Sequence, residues 1–272
     1  MKVCSTWVAS VQLTGACSIV AALLVCSKCA RLHSLGLPSW AYDSDGTKDP
    51  MTESFTFSLR PVESENDLKL ACRVRAEAYG RKVPIYRETM LIPDDVDLSP
   101  WTTVYLCEDK LTGEPVGTMR IQSTAGGGAL EIEKHTRIPA ALESSGRAEI
   151  SRLSAVSGAD PFMRLALWKA GYLHCMATRV RWLVLGVRKP GLLRAYQQMG
   201  AEDLTEPTLL PHGGNLMYRI LGLDVLSAES KWQEKNHPLL QFMVATTHPD
   251  IEMPLMHRLD AVPEQLGVHV LQ

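Results

Sequence analysis

The stretch RAEISRLSAV, Arg147 to Val156, holds a carboxylate and a guanidinium three places apart, Glu149 and Arg152. A carboxylate can take a proton from an amine, and the planar fork of an arginine suits a carboxylate or a phosphate. The segment alternates as a strand does, and in a strand a spacing of three turns two side chains to opposite faces. Joint chemistry therefore requires a break in the alternation. Without one, the pair reads as a salt bridge between the two ends of a surface strand. Arg75, Arg120 and Tyr196 are the other groups with chemical reach. An arginine amid apolar helical spacing ordinarily lays its stem on the core and pairs its head with water or an acid. The run Asp94, Asp95 and Asp97 can supply that acid, or it is a solvated loop. An aromatic such as Tyr196 on a short helix is ordinarily a core residue.

Composition narrows the classes. At 272 residues and 46% hydrophobic, the chain can bury a substantial core in one large domain or in one domain with appendages. A formal charge of -2, with 21% charged residues, argues against nucleic-acid binding, so any acidic partner must be met by a local basic patch. The seven cysteines are odd in number and four fall in the first 30 residues, which does not suit a disulfide framework. Cys26 and Cys29 form a lone CxxC without a second pair or a histidine cluster, so no metal is inferred.

The elements that must position these groups follow from periodicity. FTFSLR (55–60) alternates as a half-buried strand and Pro61 ends it. Residues 64–80 read as a capped amphipathic helix, with Ser64 and acids at its start and Gly80 at its close. The segment 81–102 has no firm period and three prolines, and reads as a loop with one short turn of helix. TTVYLCED (102–109) and EPVGTMRIQS (114–123) form a hairpin across KLTG. AGGGALEIEK reads as flexible and then extended, and 148–156 as a strand. Asp160 and Pro161 open an apolar helix. WLVLGV (182–187) is a buried strand, 191–200 a short helix ended by Gly200, and 215–223 a late strand. The tail after Leu223 reads as mostly irregular.

Residues 3–27 carry no charge and are long enough to cross a bilayer. Three readings compete: a membrane helix weakened by six polar residues, a secretory signal without a good cleavage site, and an over-extended start or dispensable leader before Met51. The domain expectation is a leader and linker at 1–50, a folded domain at 51–223 and an irregular extension at 224–272. The location follows as cytoplasmic, with membrane contact through 3–27 as the alternative.

The order strand, helix, loop, hairpin, strand, helix, strand, helix, strand, with RVRAEAY (73–79), PVGTMRI (115–121), EISRLSAV (149–156) and AYQQMG (195–200), resembles the GNAT acyltransferase fold. More narrowly it resembles the branch of autoinducer (acyl-homoserine lactone) synthases and FeeM-like long-chain N-acyl amino acid synthases. The resemblance covers residues 55–223. It implies an α/β (α+β) fold with a mixed central sheet, flanking helices and a cleft where the fourth strand splays from the fifth. In that branch the arginine and aromatic of the first helix match Arg75 and Tyr79. The arginine after VGT matches Arg120, the Glu-x-x-Arg of the fourth strand matches Glu149 and Arg152, and the tyrosine before the late glycine matches Tyr196.

What the resemblance implies for the site is concrete. A bulge in the fourth strand breaks the alternation and turns a backbone N–H toward a thioester carbonyl. Glu149 then faces the amine as base, Arg152 braces it or meets a carboxylate or phosphate, and Tyr196 protonates the leaving thiolate. Arg75, Tyr79, Arg120, Leu153, Ser154 and Trp168 are the substrate-binding candidates. Leu153, Leu165, Trp168, Leu183 and Leu185 line an acyl tunnel or are simply core.

The departures matter as well. Where a CoA-dependent GNAT has an Arg/Gln-x-x-Gly-x-Gly/Ala loop for the pyrophosphate, this chain has SGADPFMRLALWKAG, which disfavours CoA and suits a pantetheine arm on acyl carrier protein. Arg164, Lys169, Arg179, Arg181, Arg188 and Lys189 are candidates for the basic patch that receives the carrier, with Arg164, Arg188 and Lys189 nearest the arm. PDDVDLSPW does not reproduce the Glu-x-Asp-x-x-Asp of homoserine-lactone synthases, which favours a free amino acid over S-adenosylmethionine. The expected function is fatty acyl transfer from acyl carrier protein to the amine of an amino acid, with no permanently bound cofactor. The alternatives are an acyl-homoserine lactone synthase and a non-catalytic acyl-carrier or lipid sensor on the same fold.

Overall fold

Alternation decides the first strand: β1 (Phe57–Pro61) buries Phe57 and Leu59 and leaves Ser58 and Arg60 half-buried on the other face. The structure is a computed structural model that describes residues 51–210 and 216–254. The expectations on the leader, on Cys26 and Cys29, and on residues beyond 254 lie outside the described residues.

Helix α1 (Glu65–Gly80) starts on a capping box, in which the Ser64 hydroxyl accepts from the Asp67 N–H and the Asp67 carboxylate accepts from the Ser64 N–H. It buries Leu68, Ala71, Cys72, Arg75 and Ala76. The loop beyond it holds the single expected turn, α2 (Tyr86–Thr89). The hairpin β2 (Thr102–Asp109) and β3 (Pro115–Ser123) turns on Asp109, whose Oδ1 accepts from Leu111 N–H, Thr112 N–H and the Thr112 hydroxyl, and on Gly113 at φ 71. Residues 129–134 differ from the expected extended segment. Side chains of Gln122, Glu133 and Glu149 take the N–H groups of Glu131, Leu130 and Ile132, leaving a 3₁₀ turn at Ile132–Lys134 where a strand would need those donors.

After a short α3 (Ala140–Glu143) come β4 (Arg147–Ala155), α4 (Met163–Ala177), β5 (Trp182–Val187), α5 (Pro190–Gln198), β6 (Glu202–Asp203), β7 (Thr208–Leu210) and β8 (Leu216–Asp224). The sheet runs β1-β2-β3-β4-β5-β8-β6, with β7 on β8, and of its strand pairs among the described residues β4 and β5 alone are parallel. Helix α4 begins two residues later than its proline suggests. Asp160 caps the Phe162 N–H at 2.8 Å and Pro161 precedes the first turn.

The tail after Leu223 is more ordered than its sequence suggested. Helix α6 (Val225–Glu234) is capped by Asp224, buries Val225, Ala228 and Trp232, and is tied down by the Trp232 indole N–H on the Met199 carbonyl at 2.7 Å. The chain then returns through a turn at Gln241–Ala245, and Thr246–Thr247 pairs in parallel with Met51–Thr52. This return reaches Lys169, midway along α4. Lys169, expected on a basic surface, is buried there; its ammonium donates to the carbonyls of Phe242 and Thr246 at 2.7 and 2.6 Å and meets His248 Nδ1 at 2.8 Å. Arg181, expected in the same patch, pairs instead with Asp224.

The two faces of the sheet are covered differently. On one, Met119, Ile121, Ala148 and Ile150 pack against α4 in the main apolar core. On the other, Val104 and Leu106 meet Leu68 and Ala71 of α1, Val184 and Ile220 meet Leu130, Ile132 and Leu210, and the same face carries the buried Arg120 and Glu149. No helix among the described residues is long and apolar enough to cross a membrane.

Candidate active site

The ladder between β4 and β5 has three rungs, Arg147 on Trp182, Ala148 on Leu183 and Glu149 on Val184, and then stops. Beyond it, Ser151, Arg152 and Leu153 are half-buried and Gly186, in the middle of β5, is exposed, so the two strands border an open cleft. On its other edge β4 stays paired to β3, with one irregularity. Arg120 opposes Ser151 and Thr118 opposes Ser154, so Met119 alone faces both Arg152 and Leu153. This is a β-bulge. Arg152 takes the left-handed conformation, φ 55, and the Ser154 hydroxyl donates to its carbonyl at 2.8 Å, bracing the bulge. The extra residue brings the Arg152 side chain round to the face of Glu149, where its Nη2 donates to Asp94 Oδ2 at 3.2 Å. The break that joint chemistry required is present.

Glu149 is buried, and its Oε2 accepts the Ile132 N–H at 2.8 Å. Burial raises its pKa to about 7, against the pull of that hydrogen bond and of the nearby Arg120 charge. A carboxyl held there is near half-ionised at neutral pH, the condition under which a general base works best.

Around it three arginines and two aspartates interlock. Arg75 Nη1 donates to both oxygens of Asp97, at 2.8 and 2.7 Å. Arg120 Nη1 donates to Asp94 at 2.6 Å and its Nε to the Ser151 hydroxyl at 3.0 Å. Asp94 and Asp97 each accept the other's backbone N–H, which locks the loop that carries them. Burial alone would raise Asp94, but the Arg120 charge and hydrogen bond outweigh it and bring it down to about 2. Burial likewise opposes the Arg120 charge, and the two aspartates more than compensate. Arg75 remains unfinished: its buried Nε and Nη2 have no partner among the described residues. It lines a pocket of about 190 Å³ with Arg152, Asp94, Asp97, Tyr86 and Met90. A larger depression of about 520 Å³ near Arg147 offers less, because that arginine is already engaged by Glu133 and by the carbonyls of Leu142, Glu143 and Ser145.

On the cleft's far side Tyr196 stacks on Trp168 with ring centroids 4.9 Å apart. Burial and the neighbouring Tyr79 push its hydroxyl up to about 12, so it stays protonated. Tyr79 sets its ring edge-on to Tyr86 at 6.2 Å. The buried Trp168 indole N–H has no partner among the described residues. Of the expected tunnel lining, Leu183, Leu185 and Trp168 are packed into the main core, whereas Leu153 and Leu165 are only partly buried against it. Arg164, Arg188 and Lys189 gather near the first turns of α4 and α5.

Sequence reasoning left the acidic run open and did not single out Ser151 or the Ile132 amide. The signal was present for Asp94 and Asp97. Their spacing is the Asp-x-x-Asp half of the homoserine-lactone synthase pattern, with Ile92 where its glutamate stands. No group of three or more His, Cys, Asp or Glu side chains among the described residues could hold a metal ion.

No protein-family model matches the chain, and neither does any curated protein sequence. Among solved structures it is similar to FeeM, an N-acyl amino acid synthase from uncultured soil microbes, at 18% identity and a TM-score of 0.52, over 69% of this chain and 98% of that one. It is also similar to BjaI, a CoA-dependent acyl-homoserine lactone synthase, at 14% identity and a TM-score of 0.49, over 74% of this chain and 98% of that one. The chain is built on the GNAT-like fold of FeeM, a mixed sheet opened between β4 and β5 and flanked by helices.

Proposed function

We propose that the protein is an N-acyltransferase that moves a long fatty acyl chain from acyl carrier protein to the amine of an amino acid. The observation that carries this reading is Glu149, a buried carboxyl with a pKa near 7 at the last rung before the strands part. Ammonium acids attack a thioester only after losing a proton, and a base with this pKa takes that proton at neutral pH. The nitrogen then bonds to the thioester carbon while an N–H of the bulge holds the oxygen. The C–S bond breaks, the departing thiolate takes a proton from Tyr196, and Tyr196 recovers the one that the nitrogen sheds as the amide forms.

The acceptor's carboxylate finds its complement in Arg75 and Arg152, which face one small pocket and carry donors beyond those their aspartates use. Ser154 acts on the bulge, and Arg120 holds the loop of Asp94 and Asp97 in place. Leu153, partly buried, borders the path proposed for the acyl chain, and Arg164, Arg188 and Lys189 the end proposed for the arm. A pantetheine arm on acyl carrier protein suits the start of α4 better than CoA does, since Asp160 and Pro161 stand where phosphate-binding amides are needed.

An acyl-homoserine lactone synthase is the second reading, favoured by the spacing of Asp94 and Asp97. Mass spectrometry of lipids from cells expressing the protein separates the two. N-acyl amino acids that vanish with Glu149→Gln support the first. Acyl-homoserine lactones support the second, and no acylated product of either kind overturns both.

A further inference from the structure

The returning tail, residues 239–252, is stitched to the body from three directions. Lys169 of α4 donates to the Phe242 and Thr246 carbonyls at 2.7 and 2.6 Å. At the sheet edge, the Leu59 N–H of β1 donates to the Asp250 carbonyl and the Glu252 N–H to the Leu59 carbonyl, both at 2.7 Å. From the segment before β1, the Glu53 N–H donates to the Thr247 carbonyl at 3.0 Å and the Phe55 N–H to Asp250 Oδ2 at 2.7 Å. Asp250 also pairs with Lys110 at 2.6 Å.

One titratable side chain of the tail lies inside this seam. His248 is buried, its ring stacked on Phe55 at a centroid distance of 4.7 Å and tilted against Phe242 at 4.6 Å. Its Nδ1 meets the Lys169 ammonium at 2.8 Å, so that nitrogen accepts, and the ring is neutral with its proton on Nε2. The buried Nε2 has no hydrogen-bond partner among the described residues, and the Glu53 carboxylate, on a side chain 50% exposed, stands 3.8 Å from it. A second proton would have to enter at Nδ1, against an ammonium and between two aromatic rings. The closed seam and a charged imidazole exclude each other.

We infer that residues 239–252 form an acid-released strap with His248 as its trigger, closed while the imidazole accepts from Lys169 and opened when that nitrogen takes a proton. Burial and then the Lys169 charge push His248 down to about 4, against an upward pull from Asp250. Burial also lowers Lys169, to about 8 against the pull of Glu53, which leaves it charged across the acid range. A freed strap lets His248 titrate near its ordinary 6.5. The closed form therefore holds its full stability above 6.5 and loses it as pH falls toward about 4. Release bares the N–H and carbonyl of Leu59 at a sheet edge, together with the Lys169 side of α4. The device does not depend on which reaction the cleft performs.

Hydrogen exchange read by mass spectrometry tests it on the full chain at pH 7 and pH 4.5, with intrinsic exchange rates corrected for pH. Protection of the strap should fall by roughly 10- to 100-fold at the lower pH, while the β2–β3 hairpin keeps its own. In His248→Phe, whose ring can remain between Phe55 and Phe242, the strap should be equally protected at both. Unchanged protection in the parent, an equal fall in the hairpin, or a fall retained in the variant overturns the trigger. Where the variant's strap is open already at pH 7, the His248 titration of the parent decides, followed by NMR on the ring signal missing from the variant. A midpoint near 4 that coincides with opening supports the strap, and one near 6.5 overturns it.

Discussion

Each face of the sheet buries a long cation, and the two are treated oppositely. Lys169, on the α4 face, places its ammonium among two carbonyls and an imidazole nitrogen. Arg75, on the α1 face, satisfies one nitrogen on Asp97 and leaves two without a partner among the described residues. In the first the ammonium's contacts come from the chain itself and fasten the returning tail, although the buried His248 Nε2 beside it has no hydrogen-bond partner among the described residues. The second, joined through Asp97 to Arg120 and lining a pocket, has interactions in reserve. Burial by itself thus does not mark a site, whereas burial with unmet hydrogen-bonding capacity does.

The sharpest way to break this contrast is Glu149→Gln. Acyl transfer, followed by product mass spectrometry, should fall by roughly 10²- to 10⁴-fold. Stability should move the other way. A carboxyl whose folded pKa is raised binds its proton more tightly when folded, so the native protein loses stability as pH climbs from 4.5 through about 7. At pH 8 the glutamine variant should unfold later than its parent, by up to roughly 3 kcal/mol. Parent activity should rise with pH and level off above about 7. A variant both inactive and destabilised at pH 8 would make Glu149 part of the scaffold.

Asp97→Asn comes next. It leaves Arg75 and Arg120 short of a buried counter-charge and should cost about 3–5 kcal/mol in urea unfolding. Leu185→Ala should cost about 2–5 kcal/mol and leave the chain-length distribution of the product unchanged, because this side chain is core. A shifted distribution would return Leu185 to the lining of the acyl path. Smallest is Lys169→Met, which strands two carbonyls for a loss of about 1–3 kcal/mol, while the folded protein should keep its transfer rate.

Much of the frame could be read from the residues alone. Ser64 with Asp67, Asp109 with Gly113, and the apolar run of β5 each carry a local cause that acts wherever the chain goes. Other features depend on tertiary partners. Helix α6 has only Val225, Ala228 and Trp232 to bury among polar neighbours, too few to stand out before α4 and Met199 are there to receive them. The left-handed Arg152 has no local signature, since glycine or asparagine is the usual mark of that conformation. Leu183 and Leu185 show the reverse problem, because apolar residues in a strand read alike whether they line a tunnel or fill a core.

One inserted residue interrupts the register of β4 on its β3 edge. Since Ser151 and Ser154 bracket it on the same side, excising Arg152 would let Leu153 settle opposite Met119 with every later side chain still pointing as before. A one-codon deletion, ordinarily ruinous inside a strand, should here yield a folded but silent protein. The bulge can thus be lost, or acquired, in a single genetic step without rebuilding the scaffold.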